Sequence, residues 1–312
     1  NLHLNYFDLT SLPELTQKFP VVMTLHDMWP LTGHCAHGME CQRWKTGCGE
    51  CPQLEVYPAM SHDQTAFNWQ RKRDIYAQSS VYVTGPSIWM VDTAQQSMLA
   101  PAIKKTRVIP NGIDLTIFCP GSKQEAREQL GLPLEDEIML FVSAGGIRRS
   151  SFKDYTTIQE AIRIVAQQKP DKKILFIALG DRQSVEKIGN VEIRSVAHVD
   201  SAEKMALYYR AVDLYLHASK AESFGLVLVE AQACGTPVIA TSVGGIPDTI
   251  MDGETGFLTR LMDANDMAKR IMQLLEDKQL GESMSHKASR FVSENFGVER
   301  MANNYLSFYQ EI

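Results

Sequence analysis

No apolar run in this 312-residue sequence reaches the ~18–20 residues that a membrane-spanning helix needs. Basic excess is also missing. Lys and Arg number 31 against 37 Asp and Glu, a formal net charge of −6. A dedicated nucleic-acid binder needs a basic face to displace counterions from phosphate, so this balance argues against that class. A local basic pocket for one diphosphate is not. The opening stretch NLHLNYFDLTSL has neither a basic n-region nor an apolar h-region, so it does not read as a signal peptide. A cytoplasmic setting is expected, with the inner face of the membrane as a site of peripheral contact. Cysteine is sparse: six residues, of which Cys119 and Cys234 are isolated and Cys35, Cys41, Cys48 and Cys51 are clustered. Internal repeats and low-complexity stretches are absent.

What is present is an alternation. Two domains are the leading expectation for this length. From residue 137 onward, IMLFVSA (138–144), KILFIALG (173–180), VEIRSVA (191–197), DLYLHAS (213–219) and PVIATSVGG (237–245) read as strands. TTIQEAIRIVAQQ (156–168), AEKMALYYRAV (202–212), FGLVLVEAQACG (224–235) and ANDMAKRIMQLLEDK (264–278) read as helices. Continuous apolar strands separated by helices predict a parallel sheet covered on both faces, a doubly wound α/β domain. Residues 1–118 show the same alternation more weakly, in PVVMTLHD (20–27), TAFNWQRKRDIYAQ (65–78), VYVTGPS (81–87) and TRVIPNGID (106–114). The expected division is therefore 1–118 and 119–296, with a linker near 115–122. The helical tail 297–312 is expected to pack back on the first domain.

One constellation carries chemistry. Glu222 follows the strand DLYLHAS, and Phe224, Gly225 and Leu226 open the next helix. A helix start offers free N–H groups and a positive dipole end to an anion. Gly225 removes a Cβ where a ligand approaches backbone. Glu230 lies two turns in, within the otherwise apolar LVLVEAQAC. An acid there is costly to bury unless it has a partner, and a carboxylate suits two vicinal hydroxyls. Arg148, Arg149 and Lys153 follow the strand IMLFVSA, where a diphosphate would find bidentate and point charges.

The run ESFGLVLVEAQACGTPVIATSVGGIPDTIMDGETGFL resembles the retaining glycosyltransferases of family 4, which have the two-Rossmann GT-B fold. PNGID (110–114) matches the linker motif of that family. The resemblance implies that Arg148 and Lys153 hold phosphate, that Glu222 and the backbone of Ser223, Phe224, Gly225 and Leu226 hold the donor sugar and diphosphate, and that Glu230 binds the ribose. It puts the base near Val199, in AHVDS. It implies no divalent metal and no required cofactor, in keeping with the absence of an Asp-x-Asp motif. It also implies a front-face retaining mechanism, in which the leaving phosphate helps to deprotonate the acceptor.

TLHDMWPLTGHCAHGMECQRWKTGCGECPQL resembles a subset of the same family. His26 ends the strand PVVMTLHD, a position that family uses near the donor sugar, which makes it the catalytic candidate beside Glu222. Asp27 as nucleophile is the minor alternative. The clustered cysteines run C-x5-C-x6-C-x2-C. Four thiolates could complete a structural zinc site, a disulfide could pin the loop, or the thiols could simply pack. Trp29, Trp44 and Tyr57 could line an acceptor cleft or form an aromatic loop core.

Family members begin with a further α/β segment that nothing here matches, and the sequence opens without Met inside a strand-like pattern. The first domain is thus expected to lack its first elements, and an open strand edge with exposed apolar faces predicts dimerisation or poor solution behaviour. The function expected is transfer of a hexose from a UDP- or GDP-linked donor to a glycan or lipid-linked acceptor, in polysaccharide or glycolipid synthesis. A non-catalytic nucleotide-sugar-binding fragment is the alternative. An epimerase or phosphorylase of the same fold is a third reading, and the Glu-x7-Glu arrangement argues against it.

Overall fold

The computed structural model describes residues 7–142, 150–180 and 184–312. The chain divides into two compact units. One comprises Asn1–Asn111, Ala221–Phe224 and Met301–Ile312; the other comprises Gly112–Lys220 and Gly225–Arg300.

The first unit holds α1 (Leu12–Lys18), β1 (Val21–Thr24), α2 (Thr65–Tyr76), β2 (Val81–Gly85), α3 (Ile88–Gln95) and β3 (Ile103–Val108). Its strands form a parallel sheet in the order β1-β2-β3. Short β-branched runs drive this pairing, because parallel strands in an α/β layer are buried on both faces. Met23, Val81, Val83, Met90 and Leu99 make its core with Tyr76. A long segment between β1 and α2 carries only single 3-10 turns, at Trp29–Leu31 and Arg43–Lys45. Lys72 of α2 holds it from beneath. Its ammonium is almost fully buried, donates to the carbonyls of Trp29 (2.5 Å) and Thr32 (3.0 Å), and lies 3.7 Å from the centre of the Trp29 ring.

The second unit holds α4 (Lys123–Leu130), β4 (Glu137–Val142), α5 (Tyr155–Gln168), β5 (Ile174–Leu179), β6 (Ser184–Ile188), β7 (Val191–Val196), α6 (Ala202–Ala211), β8 (Leu214–His217), α7 (Leu226–Ala233), β9 (Val238–Thr241), β10 (Gly256–Thr259), α8 (Ala264–Glu276) and α9 (Lys278–Asn295). The last helix, α10 (Val298–Gln310), begins in this unit and runs on into residues grouped with the first. The sheet order is β10-β9-β8-β4-β5-β7-β6. Leaving β6 aside, chain order runs outward from β4 through β5 to β7, then restarts at β8 and runs to β10. That is the doubly wound nucleotide-binding order, with its switch point between β4 and β8.

Two features differ from the sequence reading. β6 pairs antiparallel with β7, so the sheet is not wholly parallel. The two strands are joined by Gly189 and Asn190 alone, and a two-residue link permits only a hairpin. Gly189 takes φ +59°, the left-handed conformation such a tight turn needs. The two compact units divide at Asn111–Gly112, near the linker expected at 115–122. Ile113 explains this: its N–H donates to the Phe296 carbonyl (2.8 Å) and its carbonyl accepts from Val298 (3.0 Å), stitching the PNGID turn to the second unit. A Cβ on Gly112 would lie 2.6 Å from the Val298 Cα, so that turn needs glycine. The tail also divides at residue 301 and not at 297. Within the first unit, Phe308 is fully buried edge-on to Tyr82, and Glu311 pairs with Lys105 and Arg107.

The core of the second unit is continuous. Met139, Phe141, Phe176, Ile177 and Leu216 from the sheet are fully buried, as are Ile158 and Ile162 of α5 and Met267 and Ile271 of α8. Fixed strands in a dense core put the loops at their carboxyl ends under geometric control. Arg127 locks the opposite end. It is 4% exposed, donates to the carbonyls of Ala211, Leu134 and Asp136, and pairs with Asp213 at 2.8 Å. Asp213 in turn accepts from the Ile138 N–H (2.7 Å), tying the start of β8 to the start of β4.

Candidate functional site

In open α/β sheets the ligand crevice lies at the carboxyl ends of the strands flanking the switch point. Here those strands are β4 and β8. The segment after β4 leads to Lys153, and the segment after β8 leads to Ser219 and the start of α7.

Backbone hydrogen bonds zip the two segments together. The Asp154 N–H donates to the Ala218 carbonyl (3.0 Å) and the Lys220 N–H donates to the Phe152 carbonyl (2.8 Å). Asp154 then caps α5: its carboxylate accepts from the Thr157 N–H (3.3 Å) and hydroxyl (2.6 Å). A cap and a ladder on either side leave Lys153 little backbone freedom. Its ammonium lies 3.1 Å from His217 Nε2 and 3.1 Å from Ser219 Oγ. Ser219 is anchored further, because its N–H donates to Thr241 Oγ1 (2.9 Å) and its carbonyl accepts from the same hydroxyl (2.8 Å).

The second element is α7. It begins at Leu226, not at Phe224, and Gly225 is its N-cap with φ +90°. That angle is in the left-handed region that glycine adopts without strain. Leu228, Val229, Ala231 and Ala233 are buried, so the helix is held all round. Glu230 has a partner in this apolar setting: the Tyr209 hydroxyl of α6 donates to its Oε2 at 3.0 Å. Burial pushes the Glu230 carboxyl up to about 7, and the Tyr209 hydrogen bond opposes that in part. Tyr209 is itself fully buried and its phenol is held well above its ordinary value, chiefly by burial, so it stays a donor. The candidate site thus holds a carboxyl whose titration burial has raised toward neutral pH.

The remaining sequence candidates divide as follows. Arg148 and Arg149 lie outside the described residues. Glu222 and Ser223 lie in non-helical backbone before α7 and are grouped with the first unit. Glu222 precedes the first residue of α7 by four positions, so it is not part of the helix that carries Glu230. Phe224 is buried and Leu226 is exposed. Val199 is partly exposed in the irregular stretch between β7 and α6. His26 is partly exposed, two residues beyond β1. Trp44 is buried and its carbonyl accepts from the Trp69 indole (2.7 Å), a loop-core role, whereas Tyr57 is 62% exposed.

The four clustered cysteines are free thiols that line one cavity of about 20 Å³ with His34. Burial raises the Cys35 thiol and pushes Cys48 up to about 11. Among the described residues no group of three or more His, Cys, Asp or Glu side chains is placed to hold a metal ion. Cys119 and Cys234, far apart in sequence, come together around Arg210, which lies 3.3 Å from the Cys119 sulfur. Sequence reasoning missed His217, Ser219, Thr241 and Tyr209. A polar residue at the end of an apolar strand, as in LYLHAS, was the available signal for the first two.

The family model for glycosyl transferases group 1 matches residues 122–291, more than half of the chain. The chain belongs to this family. D-inositol 3-phosphate glycosyltransferase of Arthrobacter sp. (strain FB24) is 34% identical over 211 residues, covering 65% of this chain and 49% of that protein. N-acetyl-alpha-D-glucosaminyl L-malate synthase of Bacillus anthracis is 29% identical over 214 residues, covering 67% of this chain and 54% of that protein. The chain therefore spans about half the length of the curated relatives it matches. Sucrose-phosphate synthase from Thermosynechococcus elongatus superposes with TM-score 0.66 at 25% identity, over 96% of this chain and 69% of that one. Anabaena Alr3699/HepE in complex with UDP superposes with TM-score 0.70 at 19% identity, over 97% of this chain and 76% of that one, a likeness of fold. The fold is accordingly the α/β GT-B type of these glycosyltransferases. Among the described residues no helix is long and apolar enough to cross a membrane.

Proposed function

We propose that the chain carries the donor-binding half of a retaining, metal-independent glycosyltransferase that moves a hexose from a UDP- or GDP-linked donor to a glycan or lipid-linked acceptor. The observation that carries this is Glu230. It is a carboxylate kept near its titration point inside an apolar helix, in a unit whose switch-point loops also present Lys153. Among the described residues, Glu230 is neither exposed nor paired with a cation but accepts from the neutral Tyr209 hydroxyl, and a ribose diol would add two further donors. Arg148 and Lys153 are assigned to the diphosphate. Glu222 with Ser223, Phe224, Gly225 and Leu226 is assigned to the donor sugar and phosphate, and Val199 to the base. His26 and Glu222 are the catalytic candidates. UDP heads the list of donors because it is bound in Anabaena Alr3699/HepE.

A thermal-shift panel of UDP, GDP, ADP and their sugars tests donor binding, since a selective ligand raises the melting temperature by mass action. One nucleotide class is expected to stand out; a flat panel refutes the reading. The second reading is a donor-binding portion that does not transfer by itself, favoured by the span of about half the relatives' length. Incubation with labelled donor separates the two: binding with neither transfer nor hydrolysis leaves the second.

A further inference from the structure

We propose that His217 is a positioning residue for phosphate binding: a buried, neutral acceptor beneath the site that fixes the Lys153 ammonium at the switch point. The proposal rests on the donor reading for the role of Lys153, and on independent geometry for His217.

His217 ends β8 and is fully buried. Its Nε2 lies 3.1 Å from Lys153 Nζ and 3.0 Å from Ser219 Oγ, and its Nδ1 lies 3.3 Å from the Tyr215 hydroxyl. An ammonium can only donate, so Nε2 must accept and cannot carry the proton. The proton then sits on Nδ1 and is directed at the Tyr215 oxygen. Of the two neutral tautomers, this is the one that leaves Nε2 able to accept from Lys153. A protonated ring would set a second cation against Lys153 across 3.1 Å, so the packing favours the neutral form.

The arrangement has a consequence for anion binding. Lysine is a flexible point charge, and a phosphate gains most from one that is already in place. His217 and Ser219 both lie within hydrogen-bond reach of the ammonium and carry no negative charge of their own, so they hold it in place without neutralising it. Ser219 is held in turn by Thr241, and the Lys153 backbone by the ladder to residues 218–220. Side chain and main chain are thus fixed by the same strand end.

The test compares His217→Phe, which keeps ring size and loses the acceptor, with His217→Gln, whose amide oxygen can replace Nε2. The readouts are UDP and UMP affinity by titration calorimetry, and the ¹⁵N-detected Lys153 ammonium signal in the ligand-free chain. His217→Phe is expected to weaken UDP about tenfold while UMP changes less than threefold, and to lose the ammonium signal to exchange. His217→Gln is expected to keep both near wild type. In a Lys153→Met background, the His217 substitutions are expected to have no further effect on UDP. A folded His217→Phe with wild-type UDP affinity and an intact ammonium signal overturns the proposal. If His217→Phe does not fold, His217→Gln decides with Ser219→Ala: a lost ammonium signal in the Gln variant, or an additive effect on top of Lys153→Met, overturns it. Absence of UDP binding in the wild type refutes the donor reading for UDP, and the ammonium signal still judges His217.

Discussion

Glu230→Gln should make the ligand-free chain more stable and the liganded chain weaker. The Glu230 carboxyl titrates at about 7 in the fold against 4.5 when unperturbed, because burial disfavours its charge. A raised carboxyl contributes stability that is complete below pH 4.5 and is lost as pH rises through 7. The difference of 2.5 units corresponds to about 3 kcal/mol at pH 8. Glutamine cannot ionise and can still accept from the Tyr209 hydroxyl through its amide oxygen. Wild type and variant should therefore have nearly equal urea midpoints at pH 4.5. At pH 8 the variant should unfold about 1 M later. Nucleotide affinity should move the other way. Wild-type affinity should rise between pH 5.5 and 8 as the carboxylate forms. The variant should show a flat profile with about ten- to hundredfold weaker binding at pH 8, because charge-assisted bonds to two hydroxyls are replaced by neutral ones. A gap in midpoint that is the same at pH 4.5 and pH 8 would falsify the buried-acid account. Unchanged nucleotide affinity at pH 8 would remove Glu230 from the site.

Arg127→Met should cost about 1–3 kcal/mol in denaturant unfolding, since it takes the donor from three carbonyls and one ion pair from Asp213, which keeps Lys123 and the Ile138 N–H; an unchanged unfolding midpoint contradicts that. Gly112→Ala should lower the melting temperature by several degrees, because its Cβ would meet the Val298 backbone at 2.6 Å; an unchanged melt means that the turn relaxes freely. Cys48, Cys35 and Cys234 should react with a disulfide reagent at pH 8 far more slowly than a peptide thiol, burial having pushed Cys48 to about 11 and Cys234 to about 12. Rapid modification of folded protein counts against it, and zinc analysis of the same sample tests the four-cysteine metal site.

Alternating apolar runs, the Gly-rich turns and the ESFGLVLVEAQACG segment made the doubly wound class and the existence of α7 legible in the sequence, although not its first residue. They are local: strand runs such as IMLF and VIAT and the glycine at position 225 follow from side-chain shape and backbone freedom over a few residues. A suspect acid at Glu230 was equally visible, because a charge in LVLVEAQAC conflicts with its neighbours. Its partner was not, since Tyr209 lies 21 positions away on a different helix. The same holds for Lys153, His217, Ser219 and Thr241, which meet only because β4, β8 and β9 lie side by side with their carboxyl ends together. The helix start expected at Phe224 moved to Leu226 because Gly225 takes the left-handed conformation that caps the helix. The β6–β7 hairpin and the stitching of Ile113 to Phe296 were likewise decided by which strand edge and which backbone groups needed partners. Sequence determined which residues want to be buried and which cannot be; the tertiary structure decided which of the misfits face one another, and there the candidate site was built.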